Sequence, residues 1–128
     1  MIKKGIIIGL DFDGTVVTHE YPKIGKPLPN CVETLKRCVD AGAKICLNTM
    51  RSGLPLQEAV GYLIENGIEL YGVNCNPDQK SWTESTKVYA HVYIDDAALG
   101  TLTMQDPSFS DRPYVDWVLA EALLFPEE

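Results

Sequence analysis

Gly5-Ile6-Ile7-Ile8-Gly9-Leu10, running straight into Asp11-Phe12-Asp13-Gly14-Thr15, is the stretch that decides the fold. Six continuous apolar residues bounded by Gly and Asp are too few for a helix, and they read as a strand buried on both faces. Lys3 and Lys4 precede the run, but it is too short for the apolar part of a secretory signal and far too short to cross a bilayer. In the extended chain that follows, Asp11 and Asp13 point the same way with Cα atoms roughly 6.5 Å apart, while Phe12 turns to the core.

Outward from this strand, strand and helix patterns alternate. A loop with three prolines and a glycine covers Thr18 to Pro29. Asn30 stands where an N-cap is wanted, and Cys31, Val32, Leu35, Cys38 and Val39 mark one face of a helix that stops at Gly42. Ala43 to Leu47 reads as the second buried strand. Pro55 opens a second helix through Ala59, Val60, Leu63 and Ile64, which Asn66-Gly67 closes. Leu70 to Val73 is a third strand, 74–84 a loop with a short helix near Trp82 to Thr86, and Val92 to Ile94 a fourth strand ended by Asp95-Asp96. After the loop 106–113, Tyr114 to Phe125 reads as a final helix whose stripe of Val115, Val118, Leu119, Ala122 and Leu123 is core. Such alternation predicts a three-layer, Rossmann-like α/β fold: a mostly parallel sheet, right-handed crossovers and helices on both faces. Ligands of these sheets sit beyond the carboxyl ends of the strands.

The chain has 128 residues, of which 45% are hydrophobic and 23% charged, so one globular domain over 1–128 is predicted and a barrel of eight strands and helices is excluded. Eleven basic residues against eighteen acidic ones give a net charge of −7. That balance argues against non-specific duplex nucleic-acid binding and against a membrane-surface helix. Four cysteines without a C-x-x-C pair read as reduced thiols of a cytoplasmic protein.

The chemistry gathers at one rim. Asp11 and Asp13 follow the first strand, Asn48-Thr49 the second and Asp95-Asp96 the fourth. Four carboxylates there form six repelling pairs, each costing on the order of 3 kcal/mol at about 5 Å and an effective dielectric near 20, so a cation is required. The donors are hard oxygens, which favours Mg²⁺ over Zn²⁺ or copper. An oxygen-held metal beside a hydroxyl and a basic side chain suits phosphate chemistry.

Asp11-Phe12-Asp13-Gly14-Thr15-Val16-Val17 resembles the first motif of the haloacid dehalogenase superfamily. Thr49 is similar to its second motif, Lys87 to the third and Asp95-Asp96 to the fourth. Tyr21-Pro22-Lys23-Ile24-Gly25 and Ile94-Asp95-Asp96 further resemble small uncharacterised bacterial and phage hydrolases of that superfamily. The resemblance covers about residues 5 to 100. It implies a phosphatase in which Asp11 is the nucleophile and forms an aspartyl-phosphate, and Asp13 protonates the leaving oxygen and later activates water. Thr49 then binds the phosphoryl group, Lys87 neutralises it, Gly14 allows close backbone approach, and Asp95, Asp96, Asp11 and the Asp13 carbonyl hold Mg²⁺. An Asp at position 13 favours phosphoester hydrolysis over dehalogenation. Asn48 stands where the family usually has an apolar or aromatic residue, and Ala97 where close relatives have a basic one; both bear on substrate preference.

About thirty-five residues between the first two motifs leave no room for a cap domain. An open site implies either a bulky substrate or walls borrowed from a neighbouring subunit in a homo-oligomer. The substrate expected is a small phosphorylated metabolite, nucleotide or phosphorylated end. Arg51 reads either as a binder of the substrate's non-transferring part or as a solvated loop residue, and Lys80 is an alternative to Lys87 as the catalytic lysine. His19 and Lys26 read as surface residues of the overhanging loop, His91 as structural, and Trp82 and Trp117 as core or subunit contacts. Two other functions fit the same residues: a phospho-acceptor module resembling response-regulator receivers, and an idle binding or assembly domain. Receivers place the acidic pair before the acceptor, the reverse of the order here.

Overall fold

The computed structural model describes residues 1–126. The order is β1 (Ile7–Leu10), α1 (Cys31–Asp40), β2 (Lys44–Leu47), α2 (Gly53–Glu65), β3 (Gly72–Val73), a 3-10 turn (Gln79–Ser81), β4 (Val92–Ile94), β5 (Thr103–Met104), β6 (Tyr114–Val115) and α3 (Trp117–Leu124). Four strands form a parallel sheet in the order β3-β2-β1-β4, and β5 pairs with β6 in a separate antiparallel ribbon. The isoleucine-rich run takes a central place, with Leu10 level with Leu47 on one side and Ile94 on the other. All four residues of β1 are buried.

Alternation along β1 splits its side chains between two unlike faces. Ile8 and Leu10, with Ile45, Leu47 and Ile94, share one cluster with Leu35 and Cys38 of α1, Ala59 and Leu63 of α2, and Trp117 and Leu124 of α3. Ile7 and Cys46 instead meet Val88 and Ala90. Gly9 leaves room there for Tyr93, whose ring a Cβ at position 9 would approach to 2.8 Å. The predicted helices on both faces are therefore found on one. The return from β3 to β4 runs opposite to the two earlier crossovers, so right-handedness sends it over the second face. It does so as irregular chain, folded around the buried Gln79: Nε2 donates to the Ser85 and Lys87 carbonyls, and Oε1 accepts from Tyr89 N. The short helix predicted near Trp82 to Thr86 is replaced by the earlier turn at Gln79–Ser81.

Two more expectations change. Asn30 precedes α1 but does not cap it; its backbone is left-handed (φ 65°), and its Nδ2 donates to the Trp117 carbonyl and to Glu121 Oε1. The final helix starts three residues later than predicted. Tyr114 and Val115 pair with β5, and Asp116 caps the helix by accepting from Val118 N and Leu119 N. Trp117 and Leu124 are its buried residues, whereas Val118, Leu119 and Leu123 are 65%, 49% and 59% exposed. All four cysteines are free thiols. Among the described residues no helix is long and apolar enough to cross a membrane.

Candidate functional site

The site begins where β1 runs out. Asp11 N still donates to the Ile94 carbonyl, 3.0 Å, and the chain then winds into a tight turn in which the Phe12 carbonyl accepts from Thr15 N and Val16 N. Gly14 permits the turn with a φ of 82°, and a side chain there would meet both His19 and Asp96. Thr15, fully buried, ties the turn to the end of β4: its hydroxyl donates to Asp11 Oδ2 at 2.8 Å and accepts from Asp96 N at 3.0 Å. Its carbonyl accepts the indole Nε1 of Trp117 at 2.6 Å, so α3 braces the turn from behind.

Asp11, Asp95 and Asp96 converge, each offering an oxygen such that all three lie within 4.8 Å of one another. Burial pushes the Asp11 carboxyl up to about 7, with the charges of Asp95 and Asp96 adding to the rise and the Thr15 hydroxyl opposing it. This half-buried, oxygen-only trio could hold a hard divalent cation.

His19, read from sequence as a surface residue, reaches into this cluster and places Nε2 2.8 Å from Asp96 Oδ2. Arg51 departs further from expectation. It is 2% exposed, neither solvated nor open to a substrate. Its Nε and Nη2 hold Asp13 Oδ2 and Oδ1 in a two-pronged pair, both at 2.8 Å. Nη1 donates to the Pro22 and Pro55 carbonyls and Nη2 to that of Lys23, which ties the 18–29 loop to the start of α2. The Asp13 hydrogen bonds raise the Arg51 pKa further above its ordinary range.

Asn48 and Thr49 follow β2 at the same rim, Asn48 exposed and bonded through its backbone N to the Leu10 carbonyl. Thr49 N donates to Asn74 Oδ1 from the end of β3, and its hydroxyl accepts from Arg51 N and, among the described residues, donates to none. Lys87 and Lys80 lie on the crossover over the second face. The Lys87 ammonium sits 5.7 Å from the Tyr93 ring centroid, and neither lysine forms an ion pair with these carboxylates among the described residues. Sequence reasoning thus grouped Asp11, Asp13, Asp95 and Asp96 at one rim, of which the Asp13 carboxylate turns instead to Arg51; it did not find His19 or Trp117 as supports of the cluster or Asn74 as the partner of Thr49, and it gave Thr15 no separate part.

The architecture and the rim define a parallel-sheet α/β protein with an acidic cluster at the carboxyl ends of its strands. No family model matches the chain, and no curated protein does. Among solved structures it is similar to a conserved protein from Bacteroides thetaiotaomicron, with 31% sequence identity, a TM-score of 0.77, and coverage of 96% of this chain and 92% of that one. The chain belongs to the family of that conserved protein.

Proposed function

We propose that this protein is a Mg²⁺-dependent phosphatase of the haloacid dehalogenase type, a single capless domain acting on a small phosphorylated molecule through an aspartyl-phosphate at Asp11. The observation that carries the proposal is the convergence of Asp11, Asp95 and Asp96 within 4.8 Å at the carboxyl rim of a parallel sheet. Asp11 is the nucleophile, oriented by the Thr15 hydroxyl. Thr49, whose hydroxyl donates to none of the described residues, hydrogen-bonds the transferring phosphoryl group. Bound Mg²⁺, held by the three carboxylates, would neutralise charge shared by Asp11 and the incoming phosphate. The charge on the phosphoryl group is assigned to Lys87, with Lys80 as the alternative, both carried on the crossover. Four free thiols agree with a reducing, cytoplasmic setting.

The test is hydrolysis of p-nitrophenyl phosphate with and without Mg²⁺. Turnover that needs the metal and is lost in Asp11→Asn supports the proposal; metal-independent turnover, or turnover kept in that variant, ends it. The Arg51 hold on Asp13 favours a second reading, a phospho-acceptor whose aspartyl-phosphate persists. Release of more than one equivalent of product per chain separates the two.

A further inference from the structure

We infer that the favoured substrates of this site are phosphates whose leaving oxygen departs unprotonated, namely acyl phosphates, aryl phosphates and phosphoanhydrides, and that alkyl phosphates are poor ones. The inference rests on the phosphatase reading and narrows it.

An alkoxide is too basic to leave phosphorus readily unless a neighbouring acid protonates it, and such help contributes about 10²–10⁴-fold. Asp13 is the side chain next to the nucleophile from which that proton would come. Both of its oxygens instead accept hydrogen bonds from Arg51 at 2.8 Å. To present an O–H to a leaving group, Asp13 would have to break two charge-assisted bonds and strand a guanidinium that is 2% exposed.

Arg51 has little freedom to follow or release it. Its five N–H groups make five hydrogen bonds, two to Asp13 and one each to the carbonyls of Pro22, Pro55 and Lys23. The guanidinium carbon also lies 5.1 Å and 5.2 Å from the ring centroids of Phe12 and Tyr21. Among the described residues no neighbour replaces the missing acid, and a lysine that neutralises the phosphoryl charge keeps its proton to do so. The His19 nitrogen that reaches the site faces Asp96, the Thr15 proton is directed at Asp11, and the Thr49 hydroxyl is too weak an acid.

The chemistry closes without that proton. An Asp11 oxygen bonds to phosphorus, the bond from phosphorus to the leaving oxygen breaks, and the electron pair departs as a carboxylate, phenolate or phosphate. Water then bonds to phosphorus, the bond to Asp11 breaks and restores the carboxylate, and the proton lost by water leaves on the phosphate product. Arg51 acts here as a positioning residue, through Asp13.

The experiment compares kcat/KM in saturating Mg²⁺ for acetyl phosphate, p-nitrophenyl phosphate, phenyl phosphate and glycerol 1-phosphate. The expected result is a fall of at least about 10²-fold from the first two to the last. Arg51→Lys, which gives up one arm of the pair, should raise the alkyl-to-aryl ratio about tenfold or more; should that variant not fold, the wild-type series decides alone. Glycerol 1-phosphate turned over within tenfold of p-nitrophenyl phosphate would overturn the inference while leaving the phosphatase reading in place. No turnover of any of the four, with no phosphoprotein formed from acetyl phosphate, would overturn both.

Discussion

His19 crosses from the 18–29 loop to put its Nε2 2.8 Å from Asp96 Oδ2, in the space that a side chain on Gly14 would fill. The imidazole fixes the orientation of one oxygen-bearing group of the cluster from outside it. Partners of this kind typically set metal affinity over about 10–100-fold. His19→Ala is expected to weaken Mg²⁺ binding about tenfold by titration calorimetry. Unchanged affinity would show that Asp96 needs no such support.

Asp11 makes metal-free stability depend on pH. Its carboxyl is raised from 3.8 to about 7, first by burial and then by Asp95 and Asp96. Between those values the folded chain holds a proton that the unfolded chain has lost, so raising the pH favours unfolding across that window and adds nothing further above it. Relative to Asp11→Asn, the wild type should lose on the order of 3 kcal/mol of urea-unfolding free energy between about pH 4 and pH 7. Saturating Mg²⁺ should abolish the difference in slope.

Trp117 and Thr15 lie 102 positions apart, yet the indole N–H is the strong donor to the Thr15 carbonyl, with the Cys31 thiol adding a weak contact at 3.9 Å. Trp117→Phe keeps most of the buried ring area and removes that donor. It is expected to cost about 1–3 kcal/mol in denaturant unfolding, and to lower Mg²⁺ affinity because the turn it braces carries Asp11. Lost stability with unchanged affinity would separate the core role from the site.

Where local pattern determines structure, the sequence was legible. The isoleucine run, the apolar strand ahead of Asn48-Thr49 and the Val92-Tyr93-Ile94 strand all lead polar residues to the same rim. The final helix was not legible in phase, because Trp117-Val118-Leu119-Ala120-Glu121-Ala122-Leu123-Leu124 is apolar nearly all round and period alone cannot say which side is buried. The two-residue strands Thr103–Met104 and Tyr114–Val115 are too short to show alternation. The Arg51 pair with Asp13 spans 38 positions and the His19 contact with Asp96 spans 77, and no spacing rule links such partners before the fold brings them together.

The unequal covering of the sheet makes the buried thiols unlike one another. Cys31 and Cys38 sit beneath helical packing, while Cys46 is sealed on the other face by Val88 and Ala90 from chain that lacks helical hydrogen bonds. A segment held this way opens by fluctuations smaller than global unfolding. In native-state alkylation, the exposed Cys75 should react first, Cys46 next through local opening, and Cys31 and Cys38 only at the rate at which the whole domain comes apart. The order of labelling thereby becomes a chemical clock for which layer of the molecule yields first.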